Sequence, residues 1–188
     1  MPSPVGHSLA GICGYILVQP HIPKYQRLSC LFTSVFIANA PDVDILAGIL
    51  LRGEPGIFHR QATHSLILAI IVGVLTALIA KSIKFKHWNW FSLWIGGLYA
   101  GHIFLDLMVA DDAPPSGVQL FWPFTSDYFI FPLTIFGGFN YGGSGLFGFL
   151  FSLFSFQNLI FVLQEIVILV PCIWFIWYGK KYLIKKPT

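Results

Sequence analysis

The sequence predicts an all-α integral membrane protein of about five transmembrane helices, with a kinked second span and a long outer re-entrant or interfacial segment between spans four and five. Three observations carry this. Of 188 residues, 56% are hydrophobic and only 10% charged, with a mean hydropathy of +0.74, which excludes an ordinary water-soluble domain. Apolar stretches at about 4–18, 28–51, 61–80, 91–110 and 157–178 approach or reach the length that crosses about 30 Å of hydrocarbon. Nine of the eleven lysines and arginines follow spans one, three and five, and only Arg52 and Arg60 lie between spans two and three.

The basic residues also give the orientation. Lys24 and Arg27 follow span one, Lys81, Lys84 and Lys86 follow span three, and Lys180, Lys181, Lys185 and Lys186 follow span five. Connections rich in Lys and Arg stay in the cytoplasm, which puts the N-terminus outside and the C-terminus inside. Trp88, Trp90 and Trp94 open span four, and Trp174, Trp177 and Tyr178 close span five, as an aromatic belt at the same level. The pI near 8.8 is therefore a topology signal, and no nucleic-acid partner is expected. Residues 1–188 read as a single membrane domain surrounded by lipid.

Span one starts at a Ser3 N-cap with Pro4 at the first helical position, which keeps His7 near the outer surface. It lacks a basic leader and a clear cleavage site, so it reads as a retained span. Span two carries Asn39-Ala40-Pro41-Asp42-Val43-Asp44, where Pro41 removes an amide donor and disfavours helix at Ala40, predicting a kink or local unwinding. Irregular backbone at membrane depth belongs around a cavity or inside protein, where two carboxylates are useful. His59 is placed to fold inward from the loop 52–59. Arg60 and His64, at i and i+4, are expected on one helix face, as are His102 and Asp106 near the end of span four.

Asp111-Asp112-Ala113-Pro114-Pro115 then ends span four. The segment 111–156, with Trp122-Pro123-Phe124 and a run rich in Phe and Gly, reads as an outer lid dipping into the membrane. Asp111 and Asp112 read as solvated, with a further metal ligand as the alternative. Span five buries Glu165 beside Gln164, either as a partner behind a metal site or as a protonated core group. Cys13, Cys30 and Cys172 lack disulfide or metal spacing and read as packing residues, and His21 and His87 fall in cytoplasmic loops.

His7, Asp42, Asp44, His64, His102 and Asp106 all fall in the outer half of the membrane, within about 5–15 Å of its boundary at ~1.5 Å per residue. Ionisable side chains at that depth cost several kcal/mol and normally face a functional interior. Imidazole and carboxylate together suit a borderline or hard divalent ion, Zn²⁺ or Mn²⁺ foremost. The candidates are His7, Asp42, Asp44, His59, His64, His102 and Asp106, enough for one ion with supporting groups or for two. Arg60 suits a phosphate oxygen by its planar fork of donors, and Arg60 with Asp42 are the candidate catalytic groups. Each has a plainer reading. His7 could be a helix-terminal polar group, Asp42 and Asp44 could cap broken helix ends, and His59 and Arg60 could meet lipid headgroups. Asp44 is favoured slightly over Asp42 as a ligand, and His64, His102 and Asp106 are the firmest.

The motifs Gly6-His7-Ser8, Pro41-Asp42-Val43-Asp44, His59-Arg60-Gln61-Ala62-Thr63-His64-Ser65, Gly101-His102-Ile103-Phe104-Leu105-Asp106 and Phe121-Trp122-Pro123-Phe124 resemble the membrane-bound metal-dependent hydrolases typified by the bacterial YdjM protein. The resemblance covers residues 3–125 in order, and no family motif is identified in 126–188. It implies a bacterial or archaeal integral membrane hydrolase whose metal is bound through the His/Asp motifs.

The expected function is metal-dependent hydrolysis of a lipid or lipid-linked phosphoester at the outer side of the membrane. The rival expectations are a divalent-metal transporter or sensor, and a non-catalytic stress-response membrane protein. Transport is disfavoured because the polar groups lie at one end of the bundle and no inverted repeat is apparent.

Overall fold

The computed structural model describes residues 1–110 and 115–184, with side chains through Lys180. Asp111 and Asp112, as well as Lys185 and Lys186, lie outside the described residues, as does the Lys181 side chain. The chain is mostly helical: α1 Pro4–Val18, α2 Arg27–Asn39, α3 Val43–Arg52, α4 Leu66–Ser82, α5 Trp88–Leu107, α6 Gly145–Leu153 and α7 Phe156–Ile184. Among the described residues, two helices are long and apolar enough to cross a membrane on their own, Lys24–Arg52 and Phe156–Lys180, and Leu66–Ser82 is a shorter apolar helix.

Local chemistry explains the helix boundaries that matter. Ser3 caps α1 by accepting the backbone N–H groups of Val5 and Gly6 at 3.2 Å each, with Pro4 next in line, as its sequence predicts. Pro41 interrupts the second span with a 3₁₀ turn, Ala40–Asp42, between α2 and α3. The third helix departs from expectation. It begins at Leu66, not at 61, because Ser65 is its N-cap and accepts from Leu68 N at 3.2 Å. Arg60 sits in left-handed backbone with φ of 65° and His64 ends a 3₁₀ turn, Ala62–His64, so the two do not share a helix face. Backbone bonds from Gln119 N to Arg60 O at 2.9 Å and from Leu66 N to Leu120 O at 3.0 Å hold this segment open.

Helices α4 and α5 pack as a close pair, α1 lies between α2 and α7, and α5 reaches both α1 and α2. Small residues permit this. A Cβ at Gly11 would stand 2.8 Å from the Ser34 carbonyl oxygen on α2. The segment after α5 is folded back on the bundle: β1 Val109–Ala110 pairs in parallel with β2 Phe136–Gly137, and Val118 bridges Phe129. Val118 is fully buried with Ala69, Tyr99, Ile103 and Leu107. Further on, Phe139 N bonds Met1 O at 3.0 Å, and Tyr141 packs edge-on to His59 with ring centroids 4.9 Å apart.

Candidate metal centre

Four separate elements bring their polar side chains to one point. His7 comes from the first turn of α1, Asp42 from the Pro41 turn, His64 from the turn before α4, and His102 with Asp106 from one face of α5. His7, His64, His102 and Asp106 are buried, and the Asp42 side chain is 12% exposed. His64 Nε2 lies 3.1 Å from His102 Nε2, 3.1 Å from Asp106 Oδ2 and 3.4 Å from Asp42 Oδ1. His102 Nε2 lies 3.4 Å from the same two oxygens. Donor atoms of Asp42, His64, His102 and Asp106 all fall within 4.8 Å of one another. His7 stacks on His102 with ring centroids 3.7 Å apart, and its Nε2 is 3.3 Å from Asp106 Oδ1 and 4.0 Å from Asp42 Oδ2.

The partners behind these rings fix where their protons sit. His102 Nδ1 is 2.7 Å from the Ala38 carbonyl oxygen, which can only accept, so Nδ1 carries a proton and Nε2, in the neutral ring, offers its lone pair inward. His64 Nδ1 lies 3.2 Å from Asp44 Oδ2, and its Nε2 is likewise turned to the centre. The two Nε2 atoms therefore face each other at 3.1 Å, close enough to share a proton or to bind one ion together. Both carboxylate oxygens of Asp42 and both of Asp106 are buried without a hydrogen bond of good geometry among the described residues. Inward-turned ring nitrogens and carboxylates without a well-aligned hydrogen bond, converging on one point, make a donor set that fits a divalent cation.

Asp44 does not face that point. It accepts from Thr63 Oγ1 and from His59 Nδ1 at 2.9 Å, and it stands behind His64, the geometry of a carboxylate that orients a ligand histidine. The order favoured from sequence is thus reversed, with Asp42 facing the centre and Asp44 supporting it. His59, folded inward as expected, joins Asp44 and His64 in a second group of three donors. Burial pulls the His59 pKa down to about 4 despite the Asp44 contact, which keeps the ring neutral. Burial likewise raises the Tyr141 phenol above its usual range, opposed by the nearby Arg60 charge.

Sequence reading missed Thr63 and Tyr141. Thr63 lies inside a recognised motif and is held by Tyr99 Oη, which donates to its carbonyl at 2.8 Å, but a threonine between Ala62 and His64 carries no signal of its own. Tyr141 sits in a Phe- and Gly-rich run whose folding back could not be read from pattern. His21 and His87 are exposed and stand apart from the cluster, as expected.

The model of the YdjM inner membrane protein family matches residues 1–183. The chain belongs to that family. Among curated relatives, the inner membrane protein YbcI of Escherichia coli strain K12 is 28% identical over 144 residues, covering 72% of this chain and 75% of the relative. No solved structure matches. YdjM membership makes this a membrane protein. It also extends the likeness well beyond residue 125, so the folded-back segment and α7, where no motif was identified, belong to the family fold.

Proposed function

We propose that this YdjM-family protein is a membrane-embedded hydrolase dependent on one divalent ion, Zn²⁺ or Mn²⁺, acting on a lipid or lipid-linked phosphoester. The observation that carries the reading is the pair of inward-facing Nε2 atoms at 3.1 Å, set among four carboxylate oxygens without donors. One ion is favoured over two because His64 serves both donor groups through opposite ring nitrogens, and Asp44 already stands on the Nδ1 side. When bound, such an ion acts as a Lewis acid toward a phosphoryl oxygen and lowers the pKa of water toward neutrality.

The rest falls to the chain. His102 and His64 hold their rings rigid through Ala38 O and Asp44, and Asp106 balances the charge. Asp42, the most open of the four central donors, is placed to take a proton from attacking water. Arg60 presents a planar set of donors for developing phosphoryl charge. A groove of about 450 Å³ lined by Val43, Asp44, Ala47, Leu51, Phe58 and Thr63 is the assigned place for the chain of an amphiphilic substrate. The folded-back segment 115–156 supports the lid reading, since Tyr141 covers His59.

For topology, the proposal is five spans with the N-terminus outside. Helices α1 and α7 run in the same direction, Glu165 lying by Ser3 and Lys180 by Ile16 and Leu17, as first and last spans of an odd number must. The test is phosphate release from dioctanoyl phosphatidic acid and from p-nitrophenyl phosphate by detergent-purified protein loaded with Zn²⁺ or Mn²⁺. Release that disappears in His102→Ala supports the hydrolase. Stoichiometric metal without release from any phosphoester would move the centre to the sensor or transporter class.

A further inference from the structure

Three imidazoles meet at the centre, and only one has nothing behind it. His102 Nδ1 is tied to Ala38 O and His64 Nδ1 to Asp44, whereas both ring nitrogens of His7 lack a hydrogen bond among the described residues. The place of His7 is therefore set by its stacking on His102, by the Asp106 oxygen 3.3 Å from its Nε2, and by the backbone of the first turn of α1, where His7 N bonds Ser3 O at 3.1 Å. That first turn is held from α7. Glu165 is fully buried, and its carboxylate accepts from Ser3 N at 2.5 Å and from the Ser3 hydroxyl. Ser3 Oγ in turn accepts from Val5 N and Gly6 N. A side chain at position 6 would collide with the arrangement, since a Cβ on Gly6 would stand 2.8 Å from the Glu165 carboxylate.

We infer that Glu165 is a positioning residue: it locks the capped first turn of α1 onto α7 and so fixes His7 in the polar centre. Its surroundings make another role hard to sustain. Around it α7 is largely exposed, as a lipid-facing helix is, and a carboxylate kept in such a helix costs several kcal/mol unless donors meet it. The donors that meet this one belong to the cap of the His7 helix. At the far end of the same pair, Lys180 Nζ bonds Ile16 O at 2.9 Å and also Leu17 O, so α7 grips α1 at both ends and the acidic grip lies by the centre.

The inference rests on the metal reading for one of its two readouts. The experiment uses the full detergent-purified chain as wild type, Glu165→Leu, Glu165→Gln and Lys180→Met. Carbethoxylation of His7 in metal-free protein, mapped by peptide mass spectrometry, reports its burial. Co²⁺ titration followed by visible absorption reports the donor set. Glu165→Leu is expected to speed His7 modification about tenfold and weaken Co²⁺ binding 10–100-fold, the usual cost of losing a supporting partner. Glu165→Gln, which keeps one acceptor for Ser3, falls between Glu165→Leu and wild type in both readouts, and Lys180→Met matches wild type. A folded Glu165→Leu with His7 as protected and Co²⁺ as tightly bound as in wild type would overturn the inference. If the leucine variant fails to fold, intermediate His7 reactivity in Glu165→Gln supports the inference and wild-type protection overturns it. If wild-type protein takes up no Co²⁺, the metal reading falls and His7 protection alone decides the positioning role.

Discussion

Glu165 and the pair Asp42 and Asp106 differ in what meets them inside the bundle. Glu165 finds the backbone N–H and hydroxyl of Ser3, so the chain itself supplies the donors. Asp42 and Asp106 find only ring nitrogens at 3.1 Å and beyond, and none of their four oxygens gains a hydrogen bond of good geometry. A buried charge without donors is costly and persists where a function requires it. The contrast teaches that burial alone does not mark a site. Glu165 serves architecture, and the Asp42 and Asp106 pair has the unsatisfied chemistry of a cation site.

Four tests bear on this difference. The largest effect is expected from His102→Ala, which removes an inward Nε2 and should abolish phosphate release, a loss of at least about 10³-fold, with helicity by circular dichroism retained. Asp44→Asn keeps the shape but weakens the acceptor behind His64 and His59, so metal affinity should fall about 10–100-fold while full loading is still reached at high metal. Competition against a chelator of known affinity measures it.

The third change sets the two groups against each other in metal-free protein. Glu165→Gln should lower stability by about 1–3 kcal/mol, because a donor set loses part of its acceptor, whereas Asp106→Asn should be neutral or stabilising, because it removes a charge without donors. Denaturation midpoints in the same detergent compare them, and equal destabilisation would erase the distinction. The smallest effect concerns His59. Its folded pKa of about 4 lies below the ordinary 6.5, so the unfolded chain takes up a proton that the folded one refuses. The neutral ring's contribution is complete above pH 6.5 and is lost as pH falls toward 4. Metal-free wild type should lose about 1–2 kcal/mol more than His59→Gln between pH 7 and 5, read by thermal denaturation.

Much of this was legible in the sequence because single residues dictate it. Ser3-Pro4 starts α1, Pro41 breaks the second span, and i, i+4 spacing puts His102 and Asp106 on one face. The convergence of His7, Asp42, His64 and His102 followed from their common depth. What could not be read depends on contacts between distant segments. His64 lies before its helix because Gln119 and Leu120 pair with that stretch, and no local pattern announces a partner some 55 residues away. Asp42 and Asp44 cannot be ordered from spacing alone, since a 3₁₀ turn decides which of them faces inward. Glu165 was visible as an anomaly in an apolar helix, but its meaning required Ser3, 162 residues earlier.

The measurement that bears most directly on the central claim is metal content per chain, by mass spectrometry on detergent-purified protein, for wild type, His64→Ala and Asp106→Ala. The account predicts about one divalent ion per wild-type chain, lost in both variants while Glu165→Gln retains it at saturating metal. A folded wild-type protein that holds no metal after incubation with Zn²⁺ or Mn²⁺ would contradict it, and would leave the centre as a network of imidazoles and carboxylates that share protons to pack four helical segments.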